Sequence, residues 1–351
     1  MKKITCLICL TFCFTVKGQD FAFSQFYEMP MLRNPALSGI FNGDLRLASA
    51  HRSQWGSISV PFQTTALGIE YKLPVFRYND YLTLGMQLSY DLAGDLNLKR
   101  TQILPVVAFH KSLSENSDNF LSIAFMGGKV QSQFDPSAAR LDDQFVNGAY
   151  SPTNTSAQIF SSTGYSYYDL SAGITYSSVF GDDSHYYFGA ALFHFNQPNV
   201  SYFSPGSNVI LPAKLVFNAG LSTPVRDGDQ IIAYFDYYQQ AGNKQFFGGL
   251  LYESILKEYD DENDNVTITG GGFYRWDDAL VPVVKLKMHD WMLGVSYDIN
   301  VSKLKTASQL KGGLELTLSF LGFLNTNNSS RNRVRCVSFG TTKKLGWFST
   351  K

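Results

Sequence analysis

Arg275, Trp276, Asp277 and Asp278 stand consecutively between two runs of alternating apolar residues. A guanidinium and two carboxylates in one tight turn can form local ion pairs, which stabilise little when exposed. They can also turn onto a neighbouring loop, or into an enclosed lumen, and shape a docking face for a partner. Asn34-Pro35-Ala36 is a second constellation. It reads either as a capped turn, with Asn before a Pro-started helical turn, or as part of a segment, Gln19 to Gly39, folded into a lumen against inward Tyr and Phe. The remaining candidates are weaker. His51, His110, His185, His194 and His289 have no second ligand at metal spacing, so no zinc site is expected. The acidic run Glu258 to Asp264 would need Gly and Glu where Asn265 and Gly271 stand to form a calcium loop, and it reads as a solvated turn. With no Gly-x-Ser-x-Gly elbow and no phosphate-binding glycine loop, the chain is expected to be no enzyme and to carry no cofactor.

The elements that position these residues have a period of two. Trp291, Leu293, Val295 and Tyr297 alternate with Met292, Gly294 and Ser296, and Leu314, Leu316, Leu318 and Phe320 alternate with Glu315, Thr317 and Ser319. In the same way Leu82, Leu84, Met86, Leu88 and Tyr90 oppose Thr83, Gly85, Gln87, Ser89 and Asp91. Such alternation means strands with one apolar and one polar face. About fourteen strands follow from Asp44 onward, separated by Gly, Pro, Asn and Asp clusters. They are expected near 44–51, 62–72, 81–91, 98–111, 119–130, 165–179, 185–195, 213–222, 229–239, 244–254, 266–275, 280–288, 290–298 and 312–320.

Connection length then separates by strand parity. Loops after odd strands include 52–61, 131–164, 196–212 and 299–311, whereas those after even strands include Gly181 to Asp183, Pro224 to Asp229 and Met288-His289. Exceptions are Gln240 to Asn243 and Ile255 to Asn265. Short turns on one side and long loops on the other are a property of outer-membrane barrels. An even strand count lets the first and last strands meet antiparallel, removing the edges that a bilayer cannot hydrate.

Composition agrees with that fold class. The 15% aromatic content, with 28 Phe and 20 Tyr, suits interfacial girdles. Formal charge is zero, with 29 Lys+Arg against 29 Asp+Glu, so no nucleic-acid partner is expected. Lys2 and Lys3 followed by the apolar run Ile4 to Val16 read as a signal peptide over residues 1–18, removed to leave Gln19 first. Cys6, Cys9 and Cys13 would leave with it, and Cys336 alone cannot form an internal disulfide.

The segments QDFAFSQFYEMPMLRNPALSG, HRSQWGSISVPFQT, GGGFYRWDDALVPVVKL and GVSYDINVSKLKTAS together resemble the PorP/SprF family of type IX secretion system outer-membrane proteins. The ending Arg335 to Phe339, RCVSF, is similar to the Cys-containing ending of that family, although Val337-Ser338 replaces a usual Pro-basic pair. The resemblance implies an integral outer-membrane barrel of a Gram-negative bacterium that is not an enzyme. It also implies partners: secreted surface proteins, including gliding adhesins, whose export or attachment such barrels support, or subunits of the periplasmic secretion machinery. An Asn-Pro-Ala element like that at Asn34 also occurs in fatty-acid-channel-type barrels, which favours lumen contact without fixing function.

The expectation is therefore an all-β transmembrane antiparallel barrel over residues 44–320, bathed in outer-membrane lipid. A plug-like segment over 19–43 precedes it and a basic periplasmic tail over 321–351 follows. The rival function is a passive channel for hydrophobic or small polar solutes. A soluble secreted sandwich is the third possibility.

Overall fold

The computed structural model describes residues 20–323, apart from short stretches at 57–59, 76–78, 115–117, 147, 152, 155, 159–161, 182–183, 203–208, 226–227, 260–264 and 303–310. The expected signal peptide, the four cysteines, most of the acidic run and nearly all of the basic tail lie outside the described residues.

Fourteen strands form the wall: β1 (Leu45–Gln54), β2 (Phe62–Pro74), β3 (Tyr81–Ala93), β4 (Leu98–Ser112), β5 (Phe120–Gln133), β6 (Gly164–Phe180), β7 (Ser184–Phe193), β8 (Lys214–Pro224), β9 (Gln230–Gln240), β10 (Asn243–Lys257), β11 (Val266–Arg275), β12 (Ala279–Met288), β13 (Trp291–Asn300) and β14 (Lys311–Gly322). Each pairs antiparallel with its neighbours, and β1 closes on β14 from Leu45 opposite Gly322 to Gln54 opposite Gly313. Closure gives every strand two partners, which backbone groups in hydrocarbon require. The strand ends differ from expectation where polar residues extend the ladder. Gln131, Ser132 and Gln133 pair with Ser166, Tyr165 and Gly164, so the longest loop begins later than its polar composition suggested. Within that loop Phe145–Val146 and Ala149–Tyr150 form a small hairpin.

The two faces are the reverse of those of a water-soluble barrel. On β3, Leu84, Met86 and Tyr90 are exposed while Thr83, Gln87 and Ser89 are buried. On β13 and β14, Trp291, Leu293, Val295, Tyr297, Leu314, Leu316 and Leu318 are exposed while Ser296, Asp298, Glu315, Thr317 and Ser319 are buried. Leaving a Leu or Val side chain in water instead of burying it costs about 1.5–3 kcal/mol. A continuous outer belt of such residues is stable only against lipid. Among the described residues no helix is long and apolar enough to cross a membrane, and the crossing is made by strands.

The lumen is also partly filled from the wall. Val130 and Met126 on β5, Phe193 and Ala191 on β7, and Val216 on β8 form one inward cluster with Met31; Phe247, Leu251, Phe273, Val281 and Val283 form another with Phe26 and Tyr27. Both clusters include residues that precede the first strand.

Candidate functional site: the segment inside the barrel

Residues 20–41 run through the lumen from the long-loop end to the short-turn end and enter β1 there. Pro30 and Pro35 break this chain into three short helical turns, Phe26–Glu28, Pro30–Arg33 and Pro35–Leu37. Irregular backbone at membrane depth must find its hydrogen bonds in protein, and the barrel's inward polar residues supply them.

At the long-loop mouth Asp20 is held by three cations. His194 Nε2 lies 2.6 Å from Asp20 Oδ2, Lys214 Nζ 3.1 Å from the same oxygen, and Arg100 Nη1 3.3 Å from Oδ1. The other ring nitrogen, His194 Nδ1, is 2.7 Å from Asp169 Oδ1. An imidazole facing carboxylates through both nitrogens must donate from both, which only the imidazolium can do. Burial opposes that charge, but Asp20 and Asp169 outweigh it and move the His194 pKa up to about 9. Burial likewise opposes ionisation of Asp20, and Lys214, His194 and Arg100 together hold its carboxyl well below the usual range.

Deeper in, Glu315 on β14 accepts two backbone N–H bonds, from Ser24 and from Gln25, each 2.6 Å long. Arg52 on β1 pairs with Asp298 on β13 at 2.5 Å and also donates to the Ala22 carbonyl. Arg275 at the end of β11 donates to Ser24 Oγ at 2.8 Å and to Asp298 Oδ2 at 3.2 Å. Midway down, Arg33 makes a bidentate pair with Asp236 on β9, at 2.8 Å through Nε and 2.6 Å through Nη2, with side chains 4% and 0% exposed.

Asn34 does two things at once. Its Oδ1 accepts from the Ala36 N–H at 2.9 Å and caps the following turn. Its Nδ2 donates to Thr175 Oγ1 at 3.1 Å and to the Ile174 carbonyl at 3.2 Å. The wall makes room for it with glycines: a Cβ on Gly173 would stand 1.9 Å from Asn34 Oδ1, and one on Gly189 would stand 2.6 Å from Nδ2. Pro35 is buried at the first position of the capped turn.

The four residues of the Arg275 turn are split by this arrangement. Arg275 is buried in the lumen and Asp278 reaches back to it at 3.0 Å, whereas Asp277 and Trp276 point away and are exposed, Trp276 by 62%. Asp277 takes φ 55°, which tightens the turn. Sequence reasoning singled out Asn34, Pro35 and Arg275 to Asp278. It passed over Asp20, Arg33, Arg52, Asp236, Asp298 and Glu315. The signal for the wall residues was a charge at an inward position of an otherwise apolar-alternating strand, as in Glu315 of GLELTLSF. Among the described residues no three His, Cys, Asp or Glu side chains come together as a metal site.

A closed fourteen-stranded barrel with an apolar outer belt and a polar lumen is an integral outer-membrane protein of a Gram-negative bacterium. Its sequence matches the model of the type IX secretion system membrane proteins PorP/SprF over residues 15–320, and the chain belongs to that family. No curated protein matches it. Solved structures similar to it include the CymD monoaromatic hydrocarbon channel, at 10% identity and TM-score 0.45, with 87% of this chain and 95% of that one covered. A TodX monoaromatic hydrocarbon channel mutant is similar at 11% identity and TM-score 0.44, with 83% and 93% covered. CdiB from Acinetobacter baumannii gives 8% identity and TM-score 0.39, and this chain covers 60% of CdiB's length against 79% of its own. These likenesses concern barrel architecture and extend to no ligand or partner.

Proposed function

We propose that this barrel is a partner-specific docking or anchoring component of type IX secretion, supporting export or surface attachment of a secreted protein of the adhesin type. The observation that carries the reading is the occupied lumen. Residues 20–41 are fixed there by buried ion pairs and backbone hydrogen bonds, so recognition falls to the two ends of the barrel. At the outer end the candidate surfaces are the loop from Gln131 to Gly164 and, on the turn between β11 and β12, the exposed Trp276 and Asp277. At the inner end the short turns and the basic tail offer a second contact for the periplasmic machinery. In this reading residues 1–18 are a removed signal peptide and 19–43 a plug.

The rival, a passive solute channel, needs an open path, and the fixed segment argues against one. Pull-down of the detergent-solubilised barrel followed by mass spectrometry tests the proposal. Recovery of a secreted surface protein or of secretion-machine subunits supports docking. Recovery of neither, together with steady ion conductance of the parent barrel, would leave the channel reading standing.

A further inference from the structure

The inner half of the lumen holds a cavity in which the centres of water-sized molecules can range over about 90 Å³, open toward the short-turn end, between the segment and the wall of β7 to β13. Its apolar lining includes Ile232 and Leu251, and its polar lining Tyr27, Glu253, Lys285 and Lys287. Most charges around it are already matched inside the protein: Lys285 pairs with Glu28, Arg46 with Glu70 and Arg33 with Asp236. A ligand bearing net charge would upset that balance.

Among the described residues, two polar atoms on facing elements have no hydrogen-bond partner. The Tyr27 hydroxyl, on the segment, and Glu253 Oε1, on β10, find no hydrogen bond among the described residues, although the residues are only 8% and 4% exposed. The other carboxylate oxygen, Glu253 Oε2, accepts from Thr269 Oγ1 at 2.9 Å, so the side chain is fixed. A buried polar group left unpaired costs about 1–3 kcal/mol, and native structures normally satisfy it. A molecule completing this site must donate to Glu253 and either accept from or donate to Tyr27. It must also lay an apolar face on Ile232 and Leu251.

We infer that this cavity binds a neutral polyhydroxylated molecule of about the size of one sugar ring, admitted from the periplasmic side. Hydroxyl groups both donate and accept, which suits a carboxylate, a phenol and two ammonium groups around one space. The C–H face of the ring meets the aliphatic wall. The site is separate from the loop surfaces proposed for partner docking, and it stands whether or not those surfaces bind a secreted protein.

Equilibrium dialysis of isotope-labelled glucose against the full-length barrel tests this, in a detergent without a sugar headgroup so that the micelle does not compete. Saturable binding is expected, weakened about tenfold by Tyr27→Phe and by Glu253→Gln, a tenfold change being the worth of about one hydrogen bond. Tyr27→Phe removes only a hydroxyl that has no partner among the described residues, and an unchanged heat-modifiable mobility on gels verifies that its barrel is intact. Absence of saturable glucose binding by the parent, or binding that Tyr27→Phe leaves unchanged, overturns the assignment. Binding of the dipeptide Gly-Gly in place of glucose overturns it in favour of a peptide site.

Discussion

Replacing Asp236 by Ala isolates the contribution of one clamp to the docking of the segment. Asp236 and Arg33 are both excluded from water and joined through two short hydrogen bonds. Removing one member of such a pair strands the other charge, a change that typically destabilises by about 3–5 kcal/mol. The barrel ladders do not depend on Arg33, so this energy should fall on docking of residues 20–41 rather than on the wall. At about 1.4 kcal/mol per factor of ten, the open population of the segment should rise by roughly two to three and a half orders of magnitude. Hydrogen exchange read by mass spectrometry reports this directly. The Ser24 and Gln25 amides, bonded to Glu315, and the Gly39 amide, bonded to Glu70, should lose protection by that factor while β3 and β4 keep theirs. Arg33→Met combined with Asp236→Leu should recover much of the loss, since a neutral packed pair replaces the charged one. Unchanged exchange in the segment of Asp236→Ala, or an equal loss across the whole wall, would refute the reasoning.

Four further outcomes follow from the same geometry. Deleting Phe21 to Leu32 should add single-channel conductance in planar bilayers; none appearing would mean that the segment does not seal the lumen. The His194 latch should weaken in alkali: its pKa is raised from an ordinary value of about 6.5 to about 9, so its stabilisation is fully present below the former and is lost as pH rises through the latter. Opening frequency should therefore climb between about pH 7 and 10, and His194→Gln should start higher and show no such climb. Replacing both Asp277 and Asp278 by Ala should abolish partner recovery while the barrel still assembles, whereas Arg275→Ala should free the Ser24 end of the segment; loss of the barrel in the aspartate variant would reduce that turn to a structural role. Leu316→Arg, on the lipid-facing side of β14, should destabilise folding into vesicles by about 2–4 kcal/mol, and a neutral effect would contradict the assignment of that face.

The wall was legible because a strand in a bilayer writes its two solvents into alternate residues. Leu84 and Met86 against Thr83 and Gln87 needed no tertiary information, and neither did the parity of loop lengths. Strand ends were less legible where polar residues such as Gln131 to Gln133 continue the ladder. The site was legible only in part. Asn34-Pro35 announced a capped turn locally, and the inward set of β14 held Glu315 in plain view. What alternation cannot say is which inward charge meets which across the lumen. Arg33 meets Asp236 and Ser24 meets Glu315 across separations of 203 and 291 residues, and only closure of the barrel brings them together. The Arg275 turn shows the same limit: four adjacent residues divide between lumen and exterior, a division that their order in the chain does not encode.

The central claim is that a barrel sealed by its own N-terminal segment serves as a docking component. Its most direct test is the pull-down from native membranes, with the full-length protein solubilised in detergent and its partners identified by mass spectrometry. The account predicts that a secreted surface protein or secretion-machine subunits are recovered with the parent and lost with the Asp277, Asp278 double variant. A barrel that comes down alone, and that conducts ions with residues 20–41 in place, would contradict it.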